Sequence, residues 1–207
     1  IPARGGSKGV PRKNIKLLAG KPLLEYTSAV TLKSSLLSKV VISTDDDEII
    51  SVAKKLGLEI PFKRPKDLAT DSSSSLSVIL HALEHFESKN IYFDAVCLLQ
   101  VTSPFRTVEF LDKAIQEFIK SDADSLISVQ EVPHEYNPHW SFELDENKNL
   151  KIATGETEII SRRQDLPKAY HRDGSIYITK SSILKEQNSL FGKKIAHIVS
   201  PKEFYVN

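Results

Sequence analysis

The chain has 207 residues, room for one large domain or for a domain with an excursion from it. Its 28 basic and 27 acidic residues nearly cancel, which argues against a nucleic-acid or membrane-surface partner, where a broad basic excess is needed. The single cysteine, Cys97, allows no intrachain disulfide and fits a reducing, cytoplasmic setting, and no run approaches the ~18 apolar residues of a membrane span.

Along the chain, apolar runs alternate with helical stripes. Ile1-Pro2-Ala3 reads as the end of a strand, and a loop rich in glycine and cations follows, Arg4 to Asn14. A helical stripe begins at about Leu23. Val40 to Ser43 is a buried strand. The acidic run Thr44-Asp45-Asp46-Asp47-Glu48 behind it starts a helix, because carboxylates favour the positive end of the helix dipole. That helix carries Ile49, Ile50, Ala53 and Leu56 on one face and stops at Gly57. Leu58 to Phe62 reads as a short strand, and Asp71 to Ser75 as the polar lead-in to a helix. Leu76, Ile79, Leu80, Leu83 and Phe86 follow at spacings of three and four. Phe93 to Leu99 is a strand. Phe110, Leu111, Ala114, Ile115, Phe118 and Ile119 make the next helix, and Ser125 to Val129 the next strand.

Several of these strands are apolar on both faces. That marks a mostly parallel sheet covered by helices on each side, a three-layer, doubly wound α/β fold. In such sheets ligands bind beyond the carboxyl ends of the strands. The opening loop, Ser43-Thr44-Asp45 and Gln100-Val101-Thr102-Ser103 should converge there. From Pro133 the pattern changes: Trp140 to Leu144 and Leu150 to Ile152 flank Asp145-Glu146-Asn147-Lys148-Asn149 as a hairpin. Gly174 to Ile178 and Ile195 to Val199 return to strand. Residues 133–172 therefore read as an excursion from a core made of 1–132 and 173–207.

The opening loop fails the dinucleotide pattern G-x-G-x-x-G and the Walker A pattern. Gly5-Gly6-Ser7-Lys8-Gly9 does match the hydrolase elbow G-x-S-x-G, with Ser7 as nucleophile. The elbow needs a helix straight after the serine, and here Gly9-Val10-Pro11 follow. A physical reading remains. Glycine amides form an anion nest, and Arg4, Lys8, Arg12 and Lys13 neutralise a polyanion such as a triphosphate. Cys97 reads as a small buried hydrophobe. His134 and His139 have no cysteine nearby and His81 and His85 no completing acid, so neither pair reads as a metal site.

These residues also carry a resemblance. IPARGGSKGVPRKN resembles the signature of the acylneuraminate cytidylyltransferases, the CMP-sialic acid or CMP-nonulosonate synthetases. Leu99-Gln100-Val101-Thr102-Ser103-Pro104-Phe105-Arg106 resembles their LLQPTSPLR segment. Arg163-Gln164-Asp165-Leu166-Pro167 and Asp173-Gly174-Ser175-Ile176-Tyr177-Ile178 resemble their later blocks. The four segments lie in family order across nearly the whole chain.

The resemblance implies a nucleotide-diphospho-sugar transferase-like core with a small dimerisation excursion, hence a homodimer. It implies transfer of CMP from CTP to a sialic-acid-like nine-carbon 2-keto sugar acid, with Mg²⁺ and release of pyrophosphate. By position, Ala3, Arg4, Gly5, Ser7, Lys8, Lys13, Asn14, Arg64 and Ser74 would bind the nucleotide, with Lys13 and Arg4 as the catalytic cations. Gln100, Thr102, Ser103, Arg163, Gln164 and Tyr177 would meet the sugar, Arg163 and Gln164 by crossing to a partner subunit. Tyr136, Trp140, Phe142 and Phe191 would serve the dimer or the pocket. Val101 stands where family members carry proline. The family's metal-binding acidic pair follows the last strand, which places it beyond Asn207. Two rival readings stay open: a non-catalytic nucleotide-binding module, and a serine hydrolase using Ser7.

Overall fold

The computed structural model describes residues 1–204. Five α-helices carry the layers: α1 (Leu23–Lys33), α2 (Asp47–Lys55), α3 (Ser75–Glu87), α4 (Val108–Ser121) and α5 (Ser181–Glu186). The strands are β1 (Leu17–Leu18), β2 (Lys21–Pro22), β3 (Ala95–Leu98), β4 (Ser125–Glu131), β5 (Phe142–Leu144), β6 (Leu150–Ile152), β7 (Tyr170–Lys180) and β8 (Ile195–Val199).

Local chemistry explains where the helices begin. Asp46 caps α2 by accepting the Glu48 and Ile49 amides, Ser74 caps α3 through the Ser77 amide, and Thr107 caps α4 through the Phe110 amide. Gly57, at φ +78, ends α2 in the left-handed conformation that suits a helix stop. The central sheet runs β3-β7-β4-β8. Alternate residues of each strand feed opposite layers. Leu99, Leu126, Ile176, Ile178 and Ile198 pack with Val30 of α1 and Phe110, Leu111, Ala114 and Ile115 of α4. On the other face, Leu98 and Tyr177 pack with Ile79 and Leu83 of α3 and Leu184 of α5. This is the expected three-layer α/β fold.

The sheet departs from the expected pattern in two ways. β7 runs antiparallel to both β3 and β4, while β4 and β8 are parallel. The chain leaves β4 into the excursion and returns beside it without a crossover helix, so the returning strand must be reversed. The expected strands at 1–3, 40–43 and 58–62 are present only as the single parallel bridges Pro2–Ser43 and Val41–Glu59. Within the excursion, β5 and β6 form the expected antiparallel hairpin. β7 begins at Tyr170, three residues before the expected boundary. Patterning did not mark the β1–β2 hairpin. It turns on Ala19 and Gly20, both at positive φ (47° and 81°), as a two-residue hairpin loop requires. Among the described residues no helix is long and apolar enough to cross a membrane.

Candidate active site

A cleft of about 340 Å³ opens at the strand ends. Arg4, Ser7, Lys13, Asn14, Arg64, Ser74, Gln100 and Thr102 all line it, with Thr70, Asp71 and Ser73 on its far rim. Segments up to about 100 residues apart in sequence thus meet at one site.

The basic loop forms one wall. It is anchored by Asn14, which is buried and donates from Nδ2 to the Arg4 carbonyl at 2.9 Å. The Gly5 amide donates to Asp45 Oδ1 at 3.0 Å. A Cβ at Gly5 would stand 2.7 Å from Asp46 Oδ2, so close approach alone requires glycine there. Ala3 is core, packed with Leu24 and Ile42, and only its backbone could serve a ligand.

Most of the loop's cations are engaged by carboxylates. Arg4 Nη2 and Lys8 Nζ each lie 2.6 Å from an oxygen of Asp71. Side-chain hydrogen bonds from Lys8 and then Arg4 hold the Asp71 carboxyl below its ordinary range. Arg12, at φ 57, turns away from the cleft to pair with Asp46 at 2.7 Å and with Glu48. Burial works to raise Asp46, but hydrogen bonds from the Ile49 amide and Arg12 outweigh it and leave the carboxyl lowered. Lys13 differs: it is half-buried, lines the cleft, and makes no ion pair with any described residue.

Arg64 is buried rather than solvated. Its Nε donates to Ser43 Oγ at 3.0 Å and its Nη2 to the Ser43 carbonyl at 2.5 Å, fixing the floor of the cleft. Burial lowers its pKa. Ser74 combines two roles, capping α3 and lining the cleft.

The second wall is the turn after β3. Gln100 and Thr102 reach the cleft, and the Ser103 amide closes the turn by donating a hydrogen bond to the Gln100 carbonyl at 3.4 Å. Sequence reasoning gave no role to Arg106, yet it is 4% exposed and braces this wall. Its guanidinium reaches the Ser175 carbonyl, the Gln100 carbonyl and Thr27 Oγ1. Burial pushes its pKa down to about 10, so it stays charged at neutral pH.

Three expected sugar residues lie elsewhere. Tyr177 is in the core under α3 and α5, its ring 6.3 Å from Phe191, because strand alternation turns it from the face of Ile176 and Ile178. Arg163 and Gln164 are exposed on a 3-10 turn of the excursion, outside the cleft of this protomer. Trp140 donates from Nε1 to the Ile160 carbonyl at 2.6 Å, while Tyr136 is 74% exposed.

The elbow reading fails on geometry. A 3-10 turn, Lys13–Ile15, follows the loop in place of an α-helix, and no histidine lines the cleft among the described residues to activate Ser7. Burial pushes the Cys97 thiol up to about 12, which leaves it protonated and inert.

A family model described as Cytidylyltransferase matches residues 1–202. The chain belongs to the cytidylyltransferase family. As a cytidylyltransferase it is a nucleotidyl-transferring enzyme. It is similar to a pseudaminic acid cytidylyltransferase of Campylobacter jejuni serotype O:2, with 40% identity over 98% of this chain and 86% of the relative. It is also similar to a CMP-N,N'-diacetyllegionaminic acid synthase of Legionella pneumophila, with 37% identity over 93% of this chain and 82% of the relative. The solved structure of CMP:2-keto-3-deoxy-manno-octonic acid synthetase with CTP covers 96% of this chain and 88% of its own. Its TM-score is 0.69 at 14% identity, a likeness of fold alone.

Among the described residues no group of three or more His, Cys, Asp or Glu could hold a metal ion by itself. Asp45, Asp46 and Asp71 are each engaged by the basic loop. The acidic pair that the resemblance placed beyond Asn207 lies outside the described residues.

Proposed function

We propose that this cytidylyltransferase joins CMP from CTP to the anomeric hydroxyl of a nine-carbon 2-keto sugar acid and releases pyrophosphate. The observation that carries the reading is one cleft with a half-buried Lys13, in no ion pair with any described residue, on one wall and the Gln100–Thr102 turn on the other. The anomeric oxygen attacks the α-phosphorus and its proton passes to solvent. The bond to the bridging oxygen breaks, and pyrophosphate leaves with that electron pair. Charge builds on the phosphoryl oxygens and the leaving group, so positioned cations stabilise the transition state without a covalent nucleophile.

In this reading Lys13 meets the transferring phosphoryl group. Arg4 and Lys8 take the remaining phosphates once they leave Asp71, and Ser7, Asn14, Arg64 and Ser74 shape the nucleotide pocket. Gln100, Thr102 and Ser103 face the sugar.

The enzyme acts in the cytoplasm as a homodimer. The excursion exposes Tyr136, Phe142, Leu144, Leu150 and Ile159, an apolar set suited to a second copy. Arg163 and Gln164 stand on the same excursion, and from there they would complete the partner's sugar pocket.

The test is pyrophosphate release by the full-length protein with CTP, Mg²⁺ and pseudaminic, legionaminic or sialic acid in turn. Release with at least one of these acids is expected. CTP binding without release for any of them would make the protein a non-catalytic nucleotide-binding module.

A further inference from the structure

The β4–β7 ladder is interrupted directly behind Gln100. Ile127 pairs with Tyr177 and Val129 with Arg172, so β7 uses five residues where β4 advances two. The slack lies between Arg172 and Tyr177, a bulge of the kind that gathers beside active sites. Polar contacts fix its shape. Asp173 Oδ1 accepts the Ser175 amide at 2.9 Å and Ser128 Oγ at 2.5 Å, and its Oδ2 accepts Ser200 Oγ. The Ile176 amide in turn donates to Ser128 Oγ at 2.8 Å.

Two features of this bulge meet on Gln100. Gly174, at φ +79, passes so close that a Cβ there would stand 3.2 Å from Gln100 Oε1. The Ser175 carbonyl accepts Arg106 Nε at 3.0 Å and Nη2 at 2.5 Å, and the same Nη2 donates to the Gln100 carbonyl at 3.2 Å. The guanidinium fork thus locks the main chain of Gln100 to the bulge, and Gly174 leaves the room in which the Gln100 amide lies. A lysine has no fork, and its single nitrogen could not replace Nε and Nη1 together with the shared Nη2.

We infer that Gly174 and Arg106 are positioning residues for the sugar, acting through Gln100. The inference rests on the sugar role proposed for Gln100. Side chains that orient a reactant act through distances of tenths of an ångström, and a 1 Å misplacement can cost about 10²-fold.

In the full-length enzyme, Gly174→Ala should raise the KM for the sugar acid roughly tenfold and leave the KM for CTP nearly unchanged. Gly20→Ala is the control. Its φ of +81° imposes the same backbone strain, but nothing lies within 4 Å of its added Cβ, so both KM values should hold. Arg106→Lys should show the same sugar-selective rise without any change of backbone conformation at 174. Gln100→Ala should itself raise the sugar KM, and Gly174→Ala should then add nothing in that background.

If Gln100→Ala leaves the sugar KM unchanged, the sugar role of Gln100 fails and the inference with it. If Gln100→Ala acts as expected, two results would overturn the positioning role alone. One is a full additional effect of Gly174→Ala in the Gln100→Ala background. The other is equal movement of both KM values in Gly174→Ala and Arg106→Lys.

Discussion

In the basic loop, proposed above to bind the nucleotide, Arg4, Lys8 and Arg12 stand at or near the surface, each paired with a carboxylate from a distant segment: Asp71, Asp46 or Glu48. On the opposite wall, proposed above to face the sugar, Gln100 is held by a buried guanidinium that contacts main-chain carbonyls. The first arrangement is a set of ion pairs in water, each weak and screened by salt. The second is a desolvated hydrogen-bond network whose members are costly to leave unpaired. In the proposed function the first can exchange an internal carboxylate for a phosphate at little cost, and the second is braced without a ligand. A polyanion is recognised by charge, which tolerates adjustment. A sugar acid is recognised by the placement of hydroxyl and amide groups, which does not.

Four outcomes would break or sharpen this contrast. The largest is expected from Lys13→Ala, which removes the one loop cation left unpaired among the described residues. Pyrophosphate release should slow by roughly 10²-fold or more, and a near-normal rate would take Lys13 out of the chemistry.

Next is Arg106→Met. Leaving the buried Ser175 carbonyl without its guanidinium and the Gln100 carbonyl with only the long Ser103 amide contact should cost about 2–4 kcal/mol. In thermal unfolding that is a fall of roughly 5–15 °C for a chain of this size. An unchanged melting temperature would mean the sugar wall is not held as described.

Asp71→Asn should act in the opposite direction. Freeing Arg4 and Lys8 should lower the KM for CTP by roughly two- to five-fold at low ionic strength, and the gain should shrink as salt rises. A higher KM for CTP would show that Asp71 helps to hold the nucleotide instead of standing in for it.

The smallest effect is the acid limb of stability. The Asp71 carboxyl is lowered from 3.8 in the folded protein, so its contribution is complete above 3.8 and fades as pH falls through the lower folded value. A melting profile between about pH 2.5 and 5 should lose part of its slope in Asp71→Asn. An identical profile would mean the latch adds nothing to folding.

Much of this site was legible in the chain because its signals are local. The caps at Asp46 and Ser74 lie within a few residues of the helices they start, and the stripe from Leu76 to Phe86 is read at fixed spacing. The loop from Arg4 to Asn14 combines glycine and cations within one turn of chain, so its anion-binding character needs no partner to be recognised.

Asp71 was not legible. It sits in a polar lead-in like any other, and what sets it apart is its approach to Arg4 and Lys8, more than sixty residues earlier. Arg106 belonged to a recognised segment, but an arginine in sequence gives no sign of being buried. Gly174 could have been flagged as a break in a strand, since glycine there often marks a bulge. Its approach to Gln100 could not.

What the sequence determined by itself is the class of layers, the order of the first four helices and the presence of a basic, glycine-rich turn at a strand end. These follow from periodicity and from the chemistry of neighbours along the chain. The tertiary structure alone decided the direction of β7, the carboxylates that hold three of the four loop cations, and the brace behind Gln100. Those depend on distances between segments remote in sequence, set by how β7 returns beside β4 and by which side chains the closing sheet leaves without water.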